Sequence, residues 1–91
     1  MNMSEPLVSI VIVDYKDNNP YLLESLKAIN KQSYQNWEIV LVTDYPTSIK
    51  HPKLFNKFYH HVVGPAQKRD DGAKLAKGRI VCFLDDDAYP S

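Results

Sequence analysis

Two nearly unbroken apolar runs in the first half of the chain predict strands that are covered on both faces. Residues 7–13 read LVSIVIV, and residues 37–42 read WEIVLV. A strand with one solvated face alternates apolar and polar residues, whereas the strands of a parallel sheet are apolar throughout because helices cover both sides. The two runs therefore indicate neighbouring strands of a parallel sheet.

A helix is predicted between these two runs, over residues 20–32. Leu22, Leu26 and Ile29 recur at helical spacing and form one apolar stripe. Asn19 is a favourable N-cap, and the proline that follows it suits the first helical position. Strand, helix and strand together make a right-handed βαβ unit.

The second half of the chain predicts a further strand, helix and strand. Residues 58–63 predict a third strand, after a proline-broken stretch in which residues 54–55 indicate a short helical turn. Residues 66–77 are rich in Ala and Lys and predict a second helix, ended by Gly78 at the C′ position. Residues 79–84, RIVCFL, predict a fourth buried strand.

This order of elements predicts an α/β fold, with an open, mostly parallel sheet and flanking helices in a single domain over residues 1–91. Ligands of such sheets bind outside the carboxyl ends of the strands. Asp14, Asp44 and the acidic run 85–87 each follow a predicted strand. We therefore expect these acids to face one edge of the sheet.

Composition excludes several classes of protein. The chain has 91 residues and a formal net charge of zero, so it carries no electrostatic signature of a nucleic-acid or anionic-membrane binder. Its single cysteine, Cys82, excludes an internal disulfide framework and a Cys-rich zinc site, and we expect it to be a small core residue. There is no signal peptide and no apolar run near the length of a membrane span, which predicts a cytoplasmic protein or one at the cytosolic face of a membrane. Residues 88–91 do not resemble a natural end, so we expect a fragment of a larger domain.

The acidic run Asp85-Asp86-Asp87 is the most informative candidate site. In an extended segment Asp85 and Asp87 point to the same side, and two carboxylates there suit Mg²⁺ or Mn²⁺. The alternative is a solvated acidic turn. The position at the end of a buried strand favours the metal site.

Four other residues are candidates for binding a ligand at the same edge. Asp44 is a possible acceptor for a base or ribose, or else a loop-capping residue. Asp14 and Tyr15 follow the first strand and could line the pocket, although Tyr15 could equally be a packing residue. Arg69 could clamp a phosphate, or pair with an acid on its own helix.

Four motifs in this order resemble the N-terminal half of family-2 glycosyltransferases with the GT-A fold. The segments are PLVSIVIVDY, NWEIVLVTD, GPAQKRDDG and the closing run AKLAKGRIVCFLDDDAYP. The resemblance covers residues 6–90. It implies a Rossmann-like half of a GT-A domain, with strands in the order 3-2-1-4.

The resemblance implies roles for individual residues. Asp44 corresponds to the acid that contacts the nucleobase, and Arg69 to the arginine of the family's A-R-N-x-G segment. Asp85 and Asp87 correspond to the metal-binding D-x-D, with Asp86 between them in the donor site. Asp14 and Tyr15 stand where the family has Pro-Thr/Ser-Tyr. This sequence departs from the family at three of these places. Thr43-Asp44 replaces a pair of acids, Asp70 replaces the Asn, and Asp14 is unusual.

The implied activity is hexosyl transfer from a nucleoside-diphosphate sugar, a UDP-sugar first of all, to an acceptor hydroxyl. A divalent ion would offset the charge that develops on the departing phosphate. The family's catalytic base lies well beyond the D-x-D, so no catalytic residue is assigned, and the chain alone is expected to be inactive. The fourth strand would be an exposed apolar edge, which predicts a homo-oligomer.

Two alternatives remain at this point. An apolar strand followed by D-x-D also opens the aspartate-nucleophile phosphatases, but there the motif is not at the C-terminal end of the chain. A non-catalytic α/β interaction module, for example one like a receiver domain, would need an acidic pair after the first strand. The single Asp14 fits that pattern poorly.

Overall fold

A computed structural model of the chain describes residues 5–14, 20–59 and 63–85. Its strands form one sheet in the order β3-β2-β1-β4, and every pair of neighbours is parallel. This confirms the open parallel α/β sheet and the strand order that the family resemblance implies. The elements are β1 (Val8–Asp14), α1 (Pro20–Lys31), β2 (Trp37–Thr43), β3 (Leu54–Phe58), α2 (Pro65–Leu75) and β4 (Ile80–Asp85).

The larger core lies between α1 and the sheet. The apolar stripe predicted for the first helix is confirmed, since Leu22 is buried and Leu26 and Ile29 pack against the same cluster. The two central strands supply the opposite side of this core, as their continuous apolar runs predict. Its buried members are Ile12, Leu22, Trp37, Ile39 and Leu41.

The smaller core lies on the other face, beneath α2. It consists of Val11, Val40 and Val42, and α2 comes unusually close to them at Gly72. A Cβ atom at Gly72 would lie 2.4 Å from Cγ1 of Val11 and 3.1 Å from Cγ2 of Val42. Glycine is therefore what allows α2 to lie this near to β1 and β2.

The third strand lies earlier than the sequence indicates. It is β3 at Leu54–Phe58, so the prediction of a third strand is confirmed, but the strand begins before the predicted residues 58–63, and the helical turn predicted at residues 54–55 is wrong. Residues 60–62 lie outside the described part. The physical reason is tertiary: the amide of Asn56 donates to the carbonyl of Leu41 at 2.9 Å and to the hydroxyl of Thr43 at 3.1 Å, which ties a weakly patterned segment to β2.

The fourth strand is present and is an exposed apolar edge of the described sheet, as the strand order implied by the resemblance leads one to expect; the prediction from its apolar run of a strand buried on both faces is wrong. β4 is an edge of the described sheet, and Ile80 and Phe83 are 46% and 52% exposed. Cys82 is exposed as well, so it is not the core residue that the sequence suggests. The reason is that α2 packs on β1 and β2 and does not cover the neighbouring β4.

Gly78 does not end the second helix, contrary to the prediction. The helix ends at Leu75, and its C-cap is Ala76 in an extended conformation. The backbone N–H of Gly78 instead donates to the hydroxyl of Ser9 at 2.7 Å. A Cβ atom on Gly78 would lie 2.6 Å from the carbonyl oxygen of Leu7, so the chain needs glycine to return this closely alongside β1.

Candidate functional site

Strand register brings three of the candidate acids to the same edge of the sheet. Asp14 is in register with Thr43, the residue before Asp44, and Asp85 is in register with Val13. These positions end three adjacent strands, in the order β2, β1 and β4. This is the carboxyl edge, where open α/β sheets bind their ligands.

Not all of the predicted site falls within the described part of the chain. Tyr15, Asp86 and Asp87 lie outside the described residues, and for Asp14 and Asp85 the structure describes the backbone only. Among the residues it does describe, no group of three His, Cys, Asp or Glu side chains is placed to hold a metal ion. The metal site at the acidic run therefore stays a prediction.

The most distinctive contact at this edge is an ion pair between Asp44 and Lys68. The ammonium Nζ of Lys68 lies 2.9 Å from Oδ2 of Asp44 and donates a hydrogen bond to it. The side chain of Lys68 has no exposed surface, and that of Asp44 is 20% exposed. A charge this deeply buried is costly unless it is paired, which makes the ion pair a built feature of the fold.

Helix geometry explains why Lys68 reaches this position. Lys68 and Gly72 are four residues apart on α2, so both face the sheet. Side chains on a helix lean toward its N-terminus, and the N-terminus of α2 follows the carboxyl end of β3. The lysine side chain is thus directed along the sheet to the end of β2, where Asp44 begins the loop.

The other oxygen of Asp44 is also buried. Oδ1 has no hydrogen-bond partner within the described part of the chain. The loop that Asp44 begins is held by its neighbours, since the hydroxyl of Thr43 donates to the carbonyl of Tyr45 and the N–H of Thr47 donates to Oδ1 of Asn56 at 3.0 Å. Oδ1 of Asp44 is thus a hydrogen-bond acceptor in a loop whose backbone is held by hydrogen bonds.

Arg69 follows Lys68 on α2 and is half-buried. The ion pair of Lys68 holds this turn of α2 against the end of β2. Of the two acids that follow on the helix, Asp70 lies 3.6 Å from the exposed ammonium of Lys74, while Asp71 accepts hydrogen bonds from Tyr59 and Gln67. The phosphate-binding role of Arg69 stays a prediction.

Lys68 is the residue that sequence reasoning missed. The sequence gives it no role beyond its place in the GPAQKRDDG segment, because a lysine in a polar helix is usually solvated. Gly72 carries the signal that could have found it. A glycine inside a helix indicates a close packing contact, and the residue one turn earlier then shares the buried face.

Comparison with known proteins is consistent with this fold. Residues 9–91 match the family model described as glycosyl transferase family 2. An uncharacterized glycosyltransferase of Haemophilus influenzae is 35% identical over 96% of the chain, and the glycosyltransferase GlyG of Streptococcus pneumoniae is 33% identical over 93%. In Escherichia coli, the UDP-Glc:alpha-D-GlcNAc-diphosphoundecaprenol beta-1,3-glucosyltransferase WfaP is 31% identical over 91%.

These relatives are much longer than the chain, which spans 38%, 31% and 36% of their respective lengths. Across the described residues, no helix has the length and apolar character needed to cross a membrane. The family model covers the chain from β1 through the acidic run, and the sheet has the matching strand order. The chain belongs to glycosyltransferase family 2.

Proposed function

We propose that this chain is the donor-binding part of an enzyme that transfers a hexosyl group from a nucleoside-diphosphate sugar to an acceptor hydroxyl. The observation that carries the proposal is the carboxyl edge of the sheet. In a chain of this family, three adjacent strand ends bring Asp14, Asp44 and Asp85 to one edge, and Lys68, the residue before Arg69 on α2, contacts Asp44. Family membership favours this reading over the phosphatase and interaction-module alternatives.

Different residues of the site would contact different parts of the donor. Asp44 would accept a hydrogen bond from the nucleobase, with Asp14 and Tyr15 beside it, and Arg69 would contact the diphosphate. The buried, unpartnered Oδ1 of Asp44 supports the first of these roles, because a buried acceptor without a donor is unfavourable. Asp86 would complete the donor site next to the metal.

Asp85 and Asp87 would hold Mg²⁺ or Mn²⁺. Hard carboxylate oxygens suit these ions, which bind through one or two carboxylates together with substrate phosphates. When bound, the ion supplies positive charge opposite the diphosphate that departs from the sugar. The position of Asp85 at the carboxyl end of β4 supports this assignment.

We expect the donor nucleotide to be a uridine diphosphate. One relative of this chain, WfaP of Escherichia coli, is named for transfer from UDP-Glc. The acceptor-only character of the Asp44 carboxylate also suits a base that presents an N–H donor. The sugar and the acceptor stay open in this proposal.

The test is calorimetric titration of the chain with UDP, in Mn²⁺ and in EDTA. We expect Mn²⁺ to strengthen binding by about tenfold or more, since it offsets the repulsion between the carboxylates and the diphosphate. In the Asp87→Ala variant this gain should be lost. Glu24→Ala, which removes an exposed carboxylate from α1, is the matched control and should bind as the parent chain does.

Each part of the proposal can fail separately in this titration. Equal UDP affinity with and without Mn²⁺ would show that the metal role of Asp85 and Asp87 is wrong, while nucleotide binding would stand. An absence of UDP binding under both conditions would overturn the proposed function itself.

We also expect the 91-residue chain to form a homo-oligomer through the edge of β4. The exposed side chains of Ile80, Val81 and Phe83 lie on a strand whose outer backbone groups have no neighbour within the described sheet. Such an edge can pair with the same edge of a second copy. Light scattering across a concentration range should detect the oligomer, and Phe83→Lys should weaken it. A monomer at every concentration would contradict this expectation.

A further inference from the structure

The buried ammonium of Lys68 is a feature that the proposed function does not use. Its side chain has no exposed surface, and its Nζ lies 2.9 Å from Oδ2 of Asp44. An apolar side chain of the same length could fill the space between α2 and the sheet without the cost of desolvating a charge. A role for the charge itself would account for a lysine at this place.

The two oxygens of Asp44 have different surroundings. Oδ2 receives the hydrogen bond from Lys68, whereas Oδ1 is buried and has no partner among the described residues. An ammonium can only donate, so the contact fixes which oxygen faces the lysine and how the carboxylate is turned. The atom left to meet a ligand is then an acceptor in a fixed place.

We propose that Lys68 is a positioning residue that orients Asp44 so that its Oδ1 accepts the N3–H of a uracil base. This rests on the proposed function, and it adds how the site distinguishes between pyrimidines. Uracil carries a hydrogen on N3, while cytosine carries a lone pair there, which a carboxylate oxygen repels. Because Lys68 prevents the carboxylate from turning away, the ion pair selects UDP over CDP.

The first arm of the test compares UDP and CDP affinities by calorimetry at a fixed Mn²⁺ concentration. We expect the parent chain to prefer UDP by about tenfold or more, as one hydrogen bond to a charged group allows. Lys68→Met keeps the length of the side chain but frees the carboxylate, and the preference should fall to about threefold or less. Lys74→Met removes an exposed ammonium from the same helix and should leave the preference unchanged.

The second arm uses Asp44→Asn, which keeps the shape of the side chain and does not depend on how well the Lys68→Met variant folds. Lys68 still donates, so it should hold the amide oxygen of the new side chain and turn the amide N–H groups toward the base. The preference should then reverse to CDP, whose N3 accepts. Adding Lys68→Met to this variant should abolish the reversal, because the amide can turn freely.

The outcomes separate this inference from the function on which it rests. Reversal in Asp44→Asn that disappears in the double variant supports a positioning role, which simple filling of space by Lys68 would not produce. No reversal, in a protein whose parent form binds UDP, would overturn the inference and leave the proposed function standing. A parent chain that binds neither nucleotide would overturn both.

Discussion

Replacing Lys68 with methionine is expected to lower the free energy of unfolding by about 3 kcal/mol. The substitution leaves the carboxylate of Asp44, whose side chain is only 20% exposed, opposite an apolar thioether. Removing one partner of a buried ion pair leaves an uncompensated charge, and that loss exceeds the net contribution of the intact pair. Urea denaturation measures the change, provided that the slope of the free energy of unfolding against urea concentration is the same in both proteins.

The matched variants of this experiment are Asp44→Asn, the double variant Lys68→Met/Asp44→Asn, and Lys74→Met. The double variant should recover most of the stability, because it removes both charges from the interface between helix and sheet. Lys74→Met, at an exposed pair with Asp70, should change stability by less than about 0.5 kcal/mol. Losses that simply add in the double variant would show that the two charges do not interact.

A double variant as stable as the parent would have a consequence for function. An ion pair that neutral side chains can replace at no cost is not kept for folding. The pair would then be a feature of the binding edge, and its effect would be visible in the choice between UDP and CDP. Stability and nucleotide selectivity would separate at the same two residues, Lys68 and Asp44.

The parts of the fold that sequence predicts are those fixed by local pattern. The apolar runs of β1 and β2 and the stripe through Leu22 and Leu26 carry their own periodicity, and the structure has these elements within one or two residues of the prediction. β3 has no such pattern, since its place depends on the contacts of Asn56 with β2. In a segment with no regular pattern of polar and apolar residues, contacts with a neighbouring strand determine where the strand lies.

Burial of the edge strand and of the site depends on distant parts of the chain. The run in β4 predicts a strand correctly, but whether Phe83 is covered depends on which strands α2 crosses. Likewise, the residues Asp44 and Lys68 are 24 positions apart, and no pattern in either segment names the other as its partner. The fold class predicts that the strand ends lie at one edge of the sheet. The ion pair can be predicted only when the position of α2 on the sheet is known.

Replacing Gly72 with alanine is expected to lower the free energy of unfolding by about 2 kcal/mol, although alanine is the better helix former by about 1 kcal/mol. The added Cβ would lie 2.4 Å from Cγ1 of Val11, which is too close for any real contact. The strand beneath belongs to the centre of the sheet, so α2 has to move outward to relieve the overlap. Urea denaturation again gives the magnitude.

The outward shift of α2 should also reach the binding edge, because Lys68 lies one turn from Gly72 and spans to Asp44. Gly72→Ala should therefore weaken UDP binding along with stability. Gly64→Ala is the control, since nothing lies within 4 Å of a Cβ atom there. Adding Val11→Ala removes Cγ1 of Val11, the atom that the new Cβ approaches most closely, and it should restore both properties in part. If Gly72→Ala is as stable as the parent chain, the helix is not held at this distance by packing, and the explanation for the position of Lys68 fails with it.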